Sequence, residues 1–499
     1  MNRLSELKCY IIMCFGIAFC FLVINGLGIN DLAAIQLGMQ LLILGSLIFA
    51  MFKNREDGLN NLHILYLIIW LGIVMRIGYM LYTPINVRSH DLGDISRDGF
   101  GHAAYIINLM EGHLPSTNYG QFYHPPLFHY LAAQVCKLVN IFLRSDNLER
   151  IVEASKVVSC FASCGMLILT KYISEELGLK EKGQLVAGAF VAFLPNFYLL
   201  AGRVNNDALA IFFMFVIILY TIRWYKEPTY KNVMILALAF GLGMMTKISV
   251  GMMALYTGGI MLYVLFKDPK GIKRQRIFGE LVAFGGICFP LALWYPIRNK
   301  MLFEQAFSYV LEIPIDHPLY CGDYTWYQRF IGFPFRKTFS PIYNSPLEDY
   351  NVNVYLLKGA LFGEFTFEIN NFWSLFILVV YTLLMIFVVL SYLYLIYNYR
   401  QTKTFMTYTV CSITAIMYIS YLYFNIQYPF GCTMDYRYVV PLALMNGLAL
   451  GIGFEGLKEI KSKVVKYIRN SIMLVCIVFA MLSVVIFCNI GAVSTVLAS

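Results

Sequence analysis

The chain is short of charge. Of its 499 residues only 13% are Asp, Glu, Lys or Arg, against 59% hydrophobic and 16% aromatic, and the mean hydropathy is +0.66. Soluble globular chains carry about 25% charged residues, so a water-soluble fold is excluded and a polytopic membrane protein is indicated. The sequence has no P-loop and no Gly-x-Gly-x-x-Gly after a strand, which removes the nucleotide sites built on those loops. It shows no internal repeat, which argues against a carrier built from repeated halves. The first apolar stretch has no small-residue cleavage site and leads straight into another span, so it is expected to stay as an anchor. The net charge of +9 gathers in short loops facing anionic lipid and gives no case for nucleic acid.

What is present is hydrocarbon in span-length pieces. A crossing helix needs about 20 apolar residues, and thirteen such segments are expected near 7–29, 32–52, 61–82, 150–173, 183–200, 207–224, 231–246, 249–266, 277–297, 372–397, 404–426, 437–456 and 470–496. The twelve cysteines lie mostly within these spans, where a thiol behaves as a small apolar group. Cys321 and Cys432 fall in polar segments on one side, which leaves a disulfide between them open. Basic residues concentrate in the loops 53–60, 171–183, 223–231, 267–276, 399–403 and 457–469, and such loops are cytoplasmic. They share one side only if the apolar stretch 125–143, opened by Pro125 and Pro126, does not cross and lies at the interface. That places two long loops outside, 83–149 and 298–371, the second rich in aromatics and prolines. Long loops in compact proteins are usually functional.

The densest polar stretch, RSHDLGDISRDGFGH at 88–102, follows the span 61–82. Asp91, Asp94, Asp98, His102, Tyr105 and Leu109 advance in steps of three or four, which a helix aligns on one face. Gly93, Gly99 and Gly101 weaken the helix in its first half, so the register is expected from about Asp98 onward. One reading is a solvated loop whose aspartates cap a helix over 98–111. The other is a carboxylate held at the membrane surface as a general base, helped by histidines or by a divalent cation on Asp91, His102 and His124.

Together, the span 61–82, the acidic loop and YHPPLFHYLAA (123–133) resemble the polyprenyl-phosphate-dependent glycosyltransferases of the GT-C fold. The likeness is strongest to the superfamily of protein O-mannosyltransferases and lipid A aminoarabinose transferases. Four later elements follow in the family's order: LPNFYLLAGRVNNDALAIFF (194–213) with Asp207 at the second acidic position, MMTKIS (244–249), WYPIRNKMLF (294–303) and MDYRYVVPLAL (434–444). The likeness runs from about 61 to 456. It departs in two extra spans at the start and in a first-loop motif that reads His-Asp where Asp-Glu is commoner. His90-Asp91 points to Asp91 as the catalytic position, while the spacing to the later boxes also admits Asp98.

The resemblance implies an all-α polytopic membrane protein, a GT-C-like bundle of about thirteen transmembrane helices with juxtamembrane helices in the first outer loop. Residues 1–60 would hold the two extra helices, 61–297 the catalytic core with loop 83–149, 298–371 the second outer loop and 372–499 the C-terminal helices. It implies inverting transfer of a mannose-like hexose or a pentose from a polyprenyl-phosphate donor to a hydroxyl of a protein, lipid or glycan. Such a donor already carries a good leaving group, so the reaction needs a base for the acceptor and cations for the departing phosphate. Asp91, then Asp98, with Asp94 beside them, are the candidate bases. His90, His102, Tyr123, His124, Asp207, Lys247, Arg298, Asn299, Arg437 and Tyr438 are the candidate substrate contacts, with Arg76 as a further cation near the phosphate plane. Each has a plainer account: Arg298 and Arg437 can snorkel at span ends, Asp207 can cap a helix and Arg76 can pair with a carboxylate. Lys247 is the most telling, because a charge at or below the interface is costly unless paired or functional. The partners implied are membrane lipid, the sugar donor and an acceptor the sequence does not identify. The absence of a retention signal and of a large luminal insert favours a bacterial plasma membrane with an outward site. The competing classes are a transporter or lipid flippase, and a polysaccharide polymerase or ligase using a lipid-diphosphate donor.

Overall fold

The computed structural model describes residues 3–29, 31–89, 91–267, 272–307, 309–339, 349–367, 369–402, 404–457 and 462–491. The α-helices begin with α1 (Arg3–Gly26), α2 (Leu32–Glu56), α3 (Asn61–Tyr82), α4 (His102–Met110), α5 (Leu127–Leu143), α6 (Leu148–Val152) and α7 (Lys156–Leu177). They continue with α8 (Glu181–Phe193), α9 (Asn196–Ala201), α10 (Asp207–Lys226), α11 (Tyr230–Met244), α12 (Met253–Lys267) and α13 (Ile272–Phe303). The last are α14 (Phe335–Thr338), α15 (Val352–Phe362), α16 (Asn371–Thr402), α17 (Phe405–Gln427), α18 (Pro441–Gly456) and α19 (Lys463–Phe487). An isolated antiparallel bridge joins Tyr320 to Phe430. The protein is all-α and integral to the membrane.

Among the described residues ten helices are long and apolar enough to cross, and the pair 431–439 with 441–456, bent by 52°, would make eleven. Two of the thirteen expected spans are shorter. Segment 183–200 is broken, because α8 stops at Phe193 ahead of Pro195, and 231–246 forms the fifteen-residue α11, which ends before the Thr246-Lys247 turn. Broken backbone at membrane depth is tolerated where protein surrounds it and its polar groups find partners. Helix α5 has seventeen residues, too short for an ordinary span, with Phe128, Ala132, Cys136 and Val139 buried and Leu138, Ile141 and Phe142 exposed.

The chain divides into two compact units. The first comprises 1–31, 83–169 and 200–312; the second comprises 32–82, 170–199 and 313–499. In the second, α8 lies against α18 at backbone contact. A Cβ on Gly451 would stand 2.5 Å from the Gly183 carbonyl oxygen and one on Gly447 would stand 3.1 Å from that of Ala187. This is the small-residue packing by which helices associate where lipid supplies no hydrophobic drive.

Arg76 explains how the break after α8 is stabilised, and it corrects the expectation of a phosphate contact. It is fully buried and donates to the carbonyls of Gly72, Val191 and Ala192, each at 2.9 Å. Its guanidinium lies over Phe197 and Tyr198, 5.3 and 5.7 Å from the ring centroids. Val191 and Ala192 are at the C-terminal end of α8, where helical carbonyls lack partners, so Arg76 serves the broken helix. Replacing it by Leu removes donors worth about 1.5–3 kcal/mol each. We expect Arg76→Leu to lower thermal stability in detergent strongly and Arg76→Lys to recover only part, since an ammonium lacks the planar fork. An unfolding temperature unchanged in Arg76→Leu would contradict this role.

No disulfide joins Cys321 to Cys432. The bridge register sets Cys321 opposite Pro429, whose carbonyl accepts its N–H at 2.9 Å, which leaves Cys432 three residues further along.

Candidate active site

The candidate site lies in the first unit and starts with the turn before α4. The carbonyls of Asp91 and Leu92 accept the first N–H groups of the helix, from His102 at 3.0 Å and Ala103 at 2.9 Å, and Phe100 accepts from Asp94 at 3.1 Å. The fold-back requires glycine at its crossing point. Gly101 has φ 98°, and a Cβ there would sit 2.5 Å from the Leu92 carbonyl and 2.6 Å from the Gly93 Cα. Asp91 is itself left-handed, at φ 53°, a conformation that aspartate tolerates better than most residues. The helix expected over 98–111 therefore begins only at His102. Asp98 stands outside it and exposed, and the aspartates do not cap it, because the cap residue is Gly101. Neighbouring Arg97 pairs with Glu111 at 2.7 Å. His102, Tyr105 and Leu109 share a helical face, as the spacing predicts.

Behind this turn is a buried aromatic and imidazole stack. His102 Nδ1 is 2.8 Å from Nε2 of His129, whose ring lies on Tyr105 with centroids 4.0 Å apart. The His102 and His124 rings are parallel at 6.0 Å. The Tyr105 hydroxyl donates to that of Tyr295 at 2.9 Å, which donates to the Phe122 carbonyl at 2.8 Å. The N–H of Leu127, just after the double proline, donates to the Met245 carbonyl at 3.0 Å, and Asn206 Nδ2 donates to the Thr246 carbonyl at 3.2 Å. These two bonds fix the Met245-Thr246-Lys247 turn beside His124 and the start of α10. Lys247 forms an ion pair with Asp207, the first residue of α10. The side chains are only 17% and 6% exposed.

Three further candidates line the same unit. Tyr123 ends the turn before His124, and its carbonyl accepts from Asn299 Nδ2 at 3.3 Å. Arg298 donates to the Pro115 carbonyl at 2.8 Å and to Asn299 Oδ1 at 2.9 Å. Arg437 and Tyr438 belong to the second unit. There the guanidinium donates to the Tyr438 hydroxyl at 3.0 Å and lies 3.6 Å from the Asp435 carboxylate. His90 lies outside the described residues.

Electrostatics single out Asp91 within the acidic loop. Burial pushes the His102 imidazole down to about 4, opposed by the charges of Asp91 and then Asp207 and reinforced by Lys247. His124 is held well below its ordinary value by burial, then by Lys247 and His102, with Asp91 opposing. Burial raises the Tyr123 phenol, and the charges of Asp91 and Asp207 add to the rise. Asp91, His102, Tyr123, His124, Asp207 and Lys247 thus act on one another; Asp91, Asp94 and Asp98 are all exposed, and of the three only Asp91 acts on the buried imidazoles. Among the described residues no three His, Cys, Asp or Glu side chains gather closely enough to hold a metal ion. Sequence reasoning placed His129 only as a polar residue of the interfacial helix and did not join it to the site; its signal was its position five residues after His124.

A pH dependence follows from the buried imidazoles. A folded value near 4 against an ordinary 6.5 means that between these pH values the unfolded chain binds more protons than the folded one. Stability contributed by neutral His102 is present above pH 6.5 and is lost as pH falls toward 4, by up to about 1.4 kcal/mol per pH unit. Thermal unfolding in detergent should move to lower temperature between pH 7 and pH 5, and His102→Asn should flatten the slope. Parallel pH profiles for wild type and variant would contradict the assignment.

Residues 123–294, about a third of the chain, match the family model for dolichyl-phosphate-mannose-protein mannosyltransferase. The matched stretch contains Tyr123, His124, Asp207 and Lys247; Asp91 and His102 precede it. No curated protein sequence matches the chain. Among solved structures, the apo oligosaccharyltransferase of Archaeoglobus fulgidus is similar, with a TM-score of 0.47 and 11% identity over 86% of this chain and 57% of that one. The chain therefore spans little more than half the length of that enzyme. The family match and the all-helical, many-span architecture agree with a glycosyltransferase of the GT-C type, the class to which the sequence motifs point.

Proposed function

We propose that the protein is an inverting glycosyltransferase that takes a monosaccharide from a polyprenyl-phosphate donor and attaches it to an acceptor hydroxyl at the outer face of the membrane. The observation that carries this reading is the placement of Asp91 and the Asp207–Lys247 pair around one buried histidine pair, beside the stretch that matches the mannosyltransferase family.

In the proposed step the acceptor O–H gives its proton to the Asp91 carboxylate as its oxygen attacks the anomeric carbon. The bond from that carbon to the phosphate oxygen breaks, the electron pair leaves with the phosphate, and the anomeric configuration inverts. Lys247, anchored by Asp207, and Arg298, anchored on Pro115 and Asn299, supply positive charge for the leaving phosphate. His102 and His124, neutral at ordinary pH, shape the site and donate or accept hydrogen bonds without adding charge. The donor sugar is a mannose-like hexose or a pentose, the acceptor a protein, lipid or glycan of the cell envelope, and the membrane a bacterial plasma membrane.

The test compares synthetic polyprenyl-phosphate and polyprenyl-diphosphate sugars of known anomeric configuration with the purified protein. The proposal expects a product of opposite configuration from the monophosphate donor. A product only from the diphosphate would favour the polymerase or ligase class instead, and retention of configuration would exclude direct displacement.

A further inference from the structure

We propose that the second unit carries a binding groove for an anionic phospholipid between α2 and α3, on the leaflet next to loop 53–60. A cavity of about 570 Å³ opens between these two helices, within the range that holds a single small ligand or chain. Its walls are apolar, from Leu41 and Phe49 on α2 to Leu67 and Trp70 on α3. Lys53 and His63 also line it, where α2 ends and α3 begins, and further down Trp70 Nε1 donates to Ser46 Oγ at 2.9 Å.

The dimensions and the charge identify the occupant. From Leu41 to Lys53 the α2 wall rises ~18 Å, at 1.5 Å per residue. That is about the depth of one leaflet in a hydrocarbon core of ~30 Å. A chain lying along this wall brings its headgroup to Lys53 and His63, where an ammonium and an imidazole favour an anionic phosphate over a zwitterion. Helix α2 is only 11% buried over its span window, so the groove can fill laterally from the bilayer. Gly45 lines the groove, and a Cβ added there would meet nothing within 4 Å, so a larger side chain at this position takes up open space without clashing with the protein.

The experiment uses the full-length protein, delipidated in detergent and exposed to equal amounts of palmitoyl-oleoyl phosphatidylglycerol and phosphatidylcholine. Retained lipid is read by native mass spectrometry. One basic residue near a membrane surface is worth about 1 kcal/mol, a factor of about five. Wild type is expected to retain phosphatidylglycerol about fivefold over phosphatidylcholine. Lys53→Gln should lose the preference while keeping total lipid, and Gly45→Phe should lose retention of both at an unchanged unfolding temperature. Equal retention of the two lipids by wild type, or a preference that survives Lys53→Gln, overturns the proposal. So does a dimer in detergent that Gly45→Phe dissociates, since that outcome assigns the groove to a second copy of the chain.

Discussion

Asp91→Asn should reduce sugar transfer by about 10²–10⁴-fold, the contribution of a positioned general base, while donor binding stays close to wild type. Asparagine keeps the size and the backbone tolerance for the left-handed conformation at position 91, φ 53°, so the turn before α4 remains intact. The amide cannot take the acceptor's proton. Asp98→Asn is the control, because Asp91 and not Asp98 acts on the buried His102 and His124 imidazoles. A radiolabelled transfer assay with a parallel donor-binding measurement checks both. Full activity in Asp91→Asn would remove the base from this position, and loss confined to Asp98→Asn would move it there.

Lys247→Met should have the second large effect, on stability and transfer together. Removing one partner of a buried ion pair costs about 3–5 kcal/mol, because the other charge stays in a poorly solvated place. Asp207, whose side chain is 6% exposed, is such a partner. The double variant Lys247→Met/Asp207→Leu removes both charges and should recover most of the thermal stability, since well-packed apolar pairs replace buried ion pairs at little cost. Transfer should remain lost in the double variant, because the cation for the leaving phosphate is gone. A stable double variant that transfers sugar normally would reduce the pair to an architectural role.

Much of this was legible in the sequence. The basic loops share one side only if 125–143 does not cross, and α5 is a seventeen-residue helix, shorter than those long enough to span. Lys247 at membrane depth demanded a partner or a function, and the structure gives it Asp207, forty residues earlier, which the motif order had already brought into the same set. The illegible parts have physical reasons. Hydropathy averages over a window and does not register a single break, so the stop of α8 ahead of Pro195 passed as a continuous span. Arg76 looked like a phosphate ligand because its partners are main-chain carbonyls, which have no side-chain signature. The glycines marked the first half of 91–101 as non-helical, but the i, i+3 and i+4 spacing started the helix at Asp98, four residues before positive φ at Gly101 lets it begin.

The most direct test reconstitutes the purified protein in liposomes containing a radiolabelled polyprenyl-phosphate sugar and a hydroxyl acceptor, and follows the label. The account predicts label covalently attached to the acceptor with release of polyprenyl phosphate, in wild type and not in Asp91→Asn. Label that crosses the bilayer still attached to its lipid, with no covalent product from wild type, would contradict it and identify a flippase.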